Sequence, residues 1–552
     1  MRNTGKLAWI AAASLLHSTA NAAPTANFDY VEYRAGESSD VAEGQFRNPI
    51  LPGFQPDPSI VKVGRDFYLV TSTFSWFPGL PVYHSTDLVN WRQIGNAIDR
   101  PSQADFSGLG TNRGLFAPAI SWHDGLFYIV NTCIECGDNF VITAKDPAGP
   151  WSEPAPLDFG GIDPSLYFDP DGRAWIVYND EPPGPPQYEG HRAIWQRSFD
   201  PETLTVSSEP TLLVNGGVDL STKPVWAEGP HIYKVGDWYY LMAAEGGTAD
   251  AHSETIYRSR SVEGPYTPGP RNPILTQRDL PAERPERVEA TGHADLVRLD
   301  DGSWWGVFLA TRPFAGQSTL LGRETFLLPV TWQDDWPIFL QPGEPVPMAA
   351  DKPDLPESPG TDWGRWREDF NGPLSHEWIG LRTPQMVQQV AVDRQAGKLA
   401  LIAGSASAGS LDKPSFVGRR MRHHEAEYTT RVSFTPSATE DFAGLLALMD
   451  ETHFVALGIE GDRIVLRRRA GGGDAERGEV LQSAPPVTGA VDLRMRFKGG
   501  RADFAYRAAG QDMWQDVATD VDVEPLASVH AGLFTGLVVG PYAYSPAQSN
   551  AD

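Results

Sequence analysis

Cysteine is almost absent: 552 residues carry two, Cys133 and Cys136, in Cys-Ile-Glu-Cys. A zinc site would need further ligands nearby, and a thioredoxin-like site would need a βαβ context; neither accompanies them. They read as an oxidised local loop staple, with two buried free thiols as the alternative. Long apolar runs are missing as well. No segment beyond the N-terminal one approaches the roughly 20 residues needed to span a bilayer. Positive charge is scarce, with 45 Lys and Arg against 71 Asp and Glu and a net charge of -26. That balance argues against nucleic acid or an anionic membrane as partner and suits a neutral substrate. Helical periodicity is scarce throughout, and the chain reads as short strands cut by Gly, Pro, Asn and Asp.

The one notable apolar run, Leu7 to Leu16, follows Arg2 and Lys6 and precedes Ala20-Asn-Ala22. This is the layout of a secretory signal with an A-x-A cleavage site, assigned to residues 1–22. The mature protein is expected to be secreted or periplasmic.

A phrase recurs along the first half, a turn followed by an aromatic-apolar strand. It stands at Gly64-Arg-Asp-Phe-Tyr68, Gly125-Leu-Phe-Tyr128, Gly172-Arg-Ala-Trp175, Asp237-Trp-Tyr-Tyr240 and Gly302-Ser-Trp-Trp305. Its aligned aromatics lie 60, 47, 65 and 65 residues apart. Several units also close alike, at Ser85–Trp91, Asp146–Trp151 and Ser261–Tyr266. Five imperfect β units predict an all-β, five-bladed propeller over residues 23–345, with a long sandwich as the alternative. Residues 346–365 are rich in Pro, Gly, Asp and Glu and read as a linker. Beyond them the strands alternate differently, as in Glu427–Phe434 and Ala490–Phe497, predicting an antiparallel, concanavalin-like β-sandwich over 366–552.

Three carboxylates stand out within the repeats. They are Asp57 in Gln-Pro-Asp57-Pro-Ser, Asp163 in Gly-Ile-Asp163-Pro-Ser and Glu228 in Trp-Ala-Glu228-Gly-Pro-His. Each abuts Pro or Gly and precedes β-formers, so each falls at the start of a strand. Singly they could be turn residues, since Asp beside Pro is common in turns. Together they can converge on one pocket, and two opposed carboxylates are the minimal equipment for glycoside hydrolysis.

Over residues 46–545 these motifs resemble glycoside hydrolase family 43, the β-xylosidases and α-L-arabinofuranosidases. The resemblance extends to Ser72–Gly79, Ala244–Thr248, His252–Thr255, Thr291–Ala294 and Leu321–Thr325. It implies a five-bladed propeller followed by a sandwich, and hydrolysis with inversion. It further implies Asp57 as general base, Glu228 as general acid, and Asp163 as the group that orients the acid and raises its pKa.

Arg323 matches a sugar-hydroxyl-binding Arg, an ordinary blade salt bridge being its alternative. Phe74 and Phe116 match apolar walls of the terminal-sugar subsite. Phe116 departs from the Trp of many relatives, implying a slightly roomier subsite. Thr248 matches a hydrogen-bonding position, and His252 either lines the site or holds its loop. His293 matches a His that faces Ca2+ or water in some relatives, so a structural Ca2+ stays open, with no cofactor required. Phe534, in Gly532-Leu-Phe-Thr-Gly536, matches a sandwich residue that closes the pocket, the alternative being a core Phe. Relatives continue past the point where this chain stops at Asp552. Either the sequence is truncated here or, if this end is real, the sandwich is expected to lack an edge strand and to leave a ladder exposed.

The functional expectation is exo-acting, inverting release of D-xylose from β-1,4-xylo-oligosaccharides, with α-L-arabinofuranose as a second product. Its partners would be xylo-oligosaccharide or arabinoxylan, with oligomerisation left open. A dedicated α-L-arabinofuranosidase and a non-catalytic carbohydrate-binding protein are the alternatives.

Overall fold

The computed structural model describes residues 23–37, 41–382, 390–393, 396–485 and 488–546. The signal assigned to 1–22 lies outside the described residues.

The recurring aromatic phrase is the second strand of every propeller blade. Those strands are Asp66–Val70, Leu126–Ile134, Ala174–Asp180, Trp238–Glu245 and Trp304–Thr311. Each is reached by a tight hairpin from the blade's first strand. The hairpin glycines Gly64, Gly125, Gly172, Gly236 and Gly302 all have positive φ (61°, 81°, 87°, 58° and 89°), where an L side chain would be strained. The aromatics then fill the cores between blades. Tyr128 and Phe168 pack between blades two and three, and Tyr240 and Trp332 between blades four and five.

The first strands, Ser59–Val63, Ala119–His123, Ile162–Phe168, Glu228–Val235 and Glu289–Arg298, surround the propeller axis in cyclic order. Buried Asp295 ties this ring together. It accepts from Ser59 Oγ and the Ile60 amide of blade one (2.8 Å each) and from Tyr233 Oη of blade four (2.7 Å). Satisfying both oxygens repays the desolvation of a carboxylate on the axis.

The second unit is a sandwich of an eight-stranded and a seven-stranded antiparallel sheet. Between them lies one apolar core including Val31, Tyr33, Tyr428, Leu445, Val455 and Phe497.

Three expectations are corrected here. Thr25–Ala35, assigned by sequence to the propeller, is a central strand of the eight-stranded sheet, paired with Glu425–Ser433 and Lys398–Ile402. Ala26, Phe28, Val31 and Tyr33 are its buried side chains, and a register shift between Phe28 and Tyr30 breaks the strict alternation that would have marked it. The segment 346–365 is not a free linker. Ala349–Asp351 pairs with Gln45–Arg47, Val346 and Met348 join a propeller core, and the Ser358 amide donates to Asp87. The sandwich shows no bare ladder at its last described strand. Val538–Tyr544 is covered on one side by Phe442–Asp450 and on the other by Ser415–Phe416 and Arg419–Arg420. Cys133 and Cys136, by contrast, form the local disulfide staple that the sequence led one to expect.

The two units interlock. Leu320 and Leu321, from a propeller loop, are fully buried in the sandwich core, and the Leu537 amide donates to Leu320 O at 2.8 Å.

Candidate active site

The five axial strands begin around one cavity of about 340 Å3. Four of them start with a local distortion. Asp57 and Asp163 both sit at φ 53°, each immediately before a proline that disfavours helical conformations of its predecessor. Such backbone costs on the order of 1–3 kcal/mol and persists only where the surroundings impose it. Register shifts follow in blades three, four and five, between Ile162 and Ser165, Glu228 and His231, and Glu289 and Asp295. Bulges of this kind re-aim side chains at the end of a strand.

In blade four the positive φ falls on Gly229 (57°), aligned with Asp57 and Asp163 through the following proline. Glu228 is therefore one residue upstream of the other two acids. Gly229 also has no room for a side chain, because a Cβ would lie 2.9 Å from His293 Cε1.

The cavity is lined by Asp57, Asp163 and Glu228 together, as their separate motifs predicted. Asp57 is 4% exposed; Arg323 Nη1 donates to its Oδ1 at 2.9 Å and Ser72 Oγ to its Oδ2. Arg323 is thus no ordinary blade salt bridge. Its Nε and Nη2 are buried without a hydrogen-bond partner among the described residues, which leaves donors for a ligand.

Burial, and after it the charge of Asp57, pushes the Glu228 carboxyl up to about 8. Asp163 is held well above the usual carboxylate range, first by burial and then by Glu228, against a hydrogen bond from the Gly229 amide. The acid is therefore lifted chiefly by its cavity, where the sequence reading looked to Asp163.

The apolar wall is a cluster of three rings. Phe74 meets Phe116 edge-on at 5.4 Å and Phe534 edge-on at 5.5 Å. Phe534 reaches across from the sandwich into the propeller cavity, with Arg323 Cζ 5.2 Å from its ring centroid. Thr248 and His293 also line the cavity.

His252 does not line it. It is 2% exposed, its Nδ1 lies 3.0 Å from Ala290 O, and its ring packs on Gly292, so it holds the start of blade five. Burial lowers both His252 and His293 to about 4, so both are neutral at physiological pH. Calcium wants six to eight oxygen ligands. No group of three metal-ligating side chains surrounds His293 among the described residues. The donor set does not fit a calcium cage.

Sequence reading missed Arg113, Ile162 and Trp226 as lining residues. Trp226 stood inside the Glu228 motif, but Arg113 carried no signal, because its place depends on how three loops meet.

Comparison with known proteins agrees with this geometry. Residues 46–337 match the glycosyl hydrolases family 43, and residues 367–552 match the beta xylosidase C-terminal concanavalin A-like domain. The chain belongs to glycoside hydrolase family 43. It is 38% identical over 531 residues to the non-reducing end alpha-L-arabinofuranosidase of Bacteroides ovatus, covering 93% of this chain and 94% of that one. It is 34% identical over 506 residues to a xylosidase/arabinosidase of Butyrivibrio fibrisolvens, covering 90% and 95%. Among solved structures, a GH43_12 protein from a capybara gut metagenome superposes with a TM-score of 0.87 at 35% identity, covering 95% of this chain and all of that one. A xylan beta-1,4-xylosidase of Bacillus halodurans gives 0.82 at 33%, covering 91% and 97%. This family 43 chain is a glycoside hydrolase with an all-β, propeller-plus-sandwich architecture.

Proposed function

We propose that the enzyme releases single D-xylose units from the non-reducing ends of β-1,4-xylo-oligosaccharides, with inversion, and accepts terminal α-L-arabinofuranose in the same pocket. The observation that carries this reading is a cavity of about 340 Å3 in which one carboxylate is hydrogen-bonded by Arg323 and another is buried with its pKa raised to about 8. Asp57 takes a proton from water as that water attacks the anomeric carbon. Glu228, protonated at neutral pH, gives its proton to the departing glycosidic oxygen. Asp163 accepts from the Gly229 amide and holds the acid's strand start in place. Arg323 and Thr248 bind sugar hydroxyls, and the three Phe rings receive the C–H face of the terminal sugar. Phe534 and its neighbours make one end of the cavity a wall, which suits an exo mode of attack. No step runs through a metal ion.

The paired names of the relatives support both sugars, which carry similar hydroxyls. A dedicated α-L-arabinofuranosidase is the second reading, favoured by the Bacteroides ovatus relative. The N-terminal leader pattern and acidic surface support action on xylan-derived glycans outside the cytoplasm.

The test is initial rates on 4-nitrophenyl β-D-xylopyranoside and α-L-arabinofuranoside, with Glu228→Ala as control. Xyloside turnover by the wild type that the substitution lowers is the expected result. Preference for the arabinofuranoside moves the reading to the second, and turnover of neither contradicts both.

A further inference from the structure

Several lining residues have no part in the reading so far, and two of them carry long or broad side chains suited to a sugar. They are Arg113, from the loop before blade two, and Trp226, just before Glu228. Phe74, Phe116, Phe534 and Arg323 cluster together, with Arg323 Cζ 5.8 Å from the Phe74 ring centroid and 5.2 Å from that of Phe534, and this cluster receives the terminal sugar in that reading. Glu228 protonates the oxygen joining that sugar to the next, so the leaving sugar must lie against what remains of the wall. We propose that Arg113 and Trp226 form the leaving-group subsite, which deepens the glycosidase reading and rests on it. Trp226 stacks on the sugar that departs, and Arg113 donates hydrogen bonds to its hydroxyls.

The loop that carries Arg113 is fixed along its backbone from both domains. Buried Arg382, of the sandwich, donates through Nε to Leu109 O, and the Thr111 amide donates to Glu451 Oε2 at 3.0 Å. Ser75 Oγ donates to both Gly110 O and Arg113 O at 2.9 Å. Leu115, two residues on, exchanges backbone hydrogen bonds with Phe74 at 2.9 and 3.1 Å.

The Arg113 side chain contrasts with this rigid support. It is 43% exposed, and its one ion pair among the described residues joins Nε to Glu135 at 3.3 Å. A guanidinium has five N–H donors, and this contact engages one of its nitrogens. Glu135 itself sits within the Cys133–Cys136 disulfide turn. Cys133 and Ile134 of that turn pair with Leu115 and Gly114 beside Arg113. A fixed backbone with an aimed, under-used cation is the arrangement a sugar-binding Arg requires.

Trp226 is equally set. Its amide donates to Gly190 O at 2.8 Å, and the Arg192 guanidinium lies over its ring, 4.6 Å from the centroid. Arg192 is in turn paired with Glu181 at 2.6 Å. A planar ring held rigidly at the mouth of a carbohydrate site is a stacking platform for a pyranose face.

The experiment measures kcat and KM for xylobiose and for 4-nitrophenyl β-D-xylopyranoside, together with inhibition by free xylose. It compares the wild type with Arg113→Ala, Arg113→Lys and Trp226→Ala. Arg113→Ala is expected to lower kcat/KM on xylobiose roughly tenfold or more, as loss of a charged hydrogen bond implies. Its loss on the nitrophenyl substrate should be smaller, and its xylose inhibition constant should stay within about twofold of the wild type. Arg113→Lys should recover part of the xylobiose activity, while Trp226→Ala should weaken both substrates because nitrophenol also stacks. For Arg113→Ala, equal losses on both substrates, a matching shift in xylose inhibition, or no loss on xylobiose would overturn the proposal, as would unchanged activity of Trp226→Ala on xylobiose. Wild-type turnover of neither substrate overturns the xylosidase reading on which the proposal rests, which separates the two failures. If the wild type prefers arabinofuranosides, the same comparison runs between an arabinofuranosyl-xylobiose and 4-nitrophenyl α-L-arabinofuranoside, with arabinose as inhibitor.

Discussion

Glu228 keeps its proton at neutral pH because its cavity disfavours the charged form and Asp57 adds a like charge. As an acid it works below its pKa, so kcat/KM is expected to fall as pH rises through about 8. The charge of Arg192 favours ionised Glu228, so Arg192→Ala should move that alkaline limb upward; a pH–rate profile showing no shift or a downward one contradicts this. Glu228→Ala should cost roughly 10²–10⁴-fold on xylobiose and less on 4-nitrophenyl glycosides, whose leaving group needs little protonation. Matching losses on the two substrates would argue against Glu228 as the acid. The three acids were legible because proline and glycine flank them at strand starts. Arg113 was not, since nothing local distinguishes an Arg at a cavity mouth from one in solvent.

At the scale of the element, the start of blade four depends on Gly229. A Cβ there meets the His293 ring, and φ is 57°, so Gly229→Ala strains the backbone and displaces the ring that lines the cavity. Expected are a destabilisation of more than about 1 kcal/mol and a loss of activity beyond that of the unfolded fraction. Chemical denaturation beside initial rates checks both, and a wild-type midpoint with full activity contradicts the account. The hairpins were legible because each joins a turn glycine to an aromatic pair in the same order. Thr25–Ala35 escaped because its bulge breaks the alternation and its partner strands lie hundreds of residues away, beyond any local signal.

The whole molecule works as one body with respect to its pocket. The sandwich supplies Phe534, holds the Arg113 loop through Arg382 and Glu451, and receives Leu320 and Leu321 into its own core. A propeller cut off after residue 345 would expose those leucines and lack a wall of the site. It is expected to be inactive and aggregation-prone, and a soluble, fully active fragment would refute the interlock. Deleting residues 23–37 removes four buried side chains from the sandwich, at roughly 1.5–3 kcal/mol for each large one, and should lower Tm clearly. An unchanged Tm would contradict the placement of that strand. The partition into propeller and sandwich was legible from the end of the repeats near Trp336. Their mutual insertion was not, because it rests on loops that touch only once both units are folded.

The central claim is that Asp57 and Glu228 act on opposite faces of the anomeric carbon, with water as the attacking group. The most direct measurement is the proton NMR spectrum of the first sugar released from 4-nitrophenyl β-D-xylopyranoside, recorded before mutarotation. The account predicts α-D-xylose first, with no release by Glu228→Ala beyond its residual rate. β-D-Xylose as the first product would contradict it, because retention requires a carboxylate that attacks carbon rather than one that activates water.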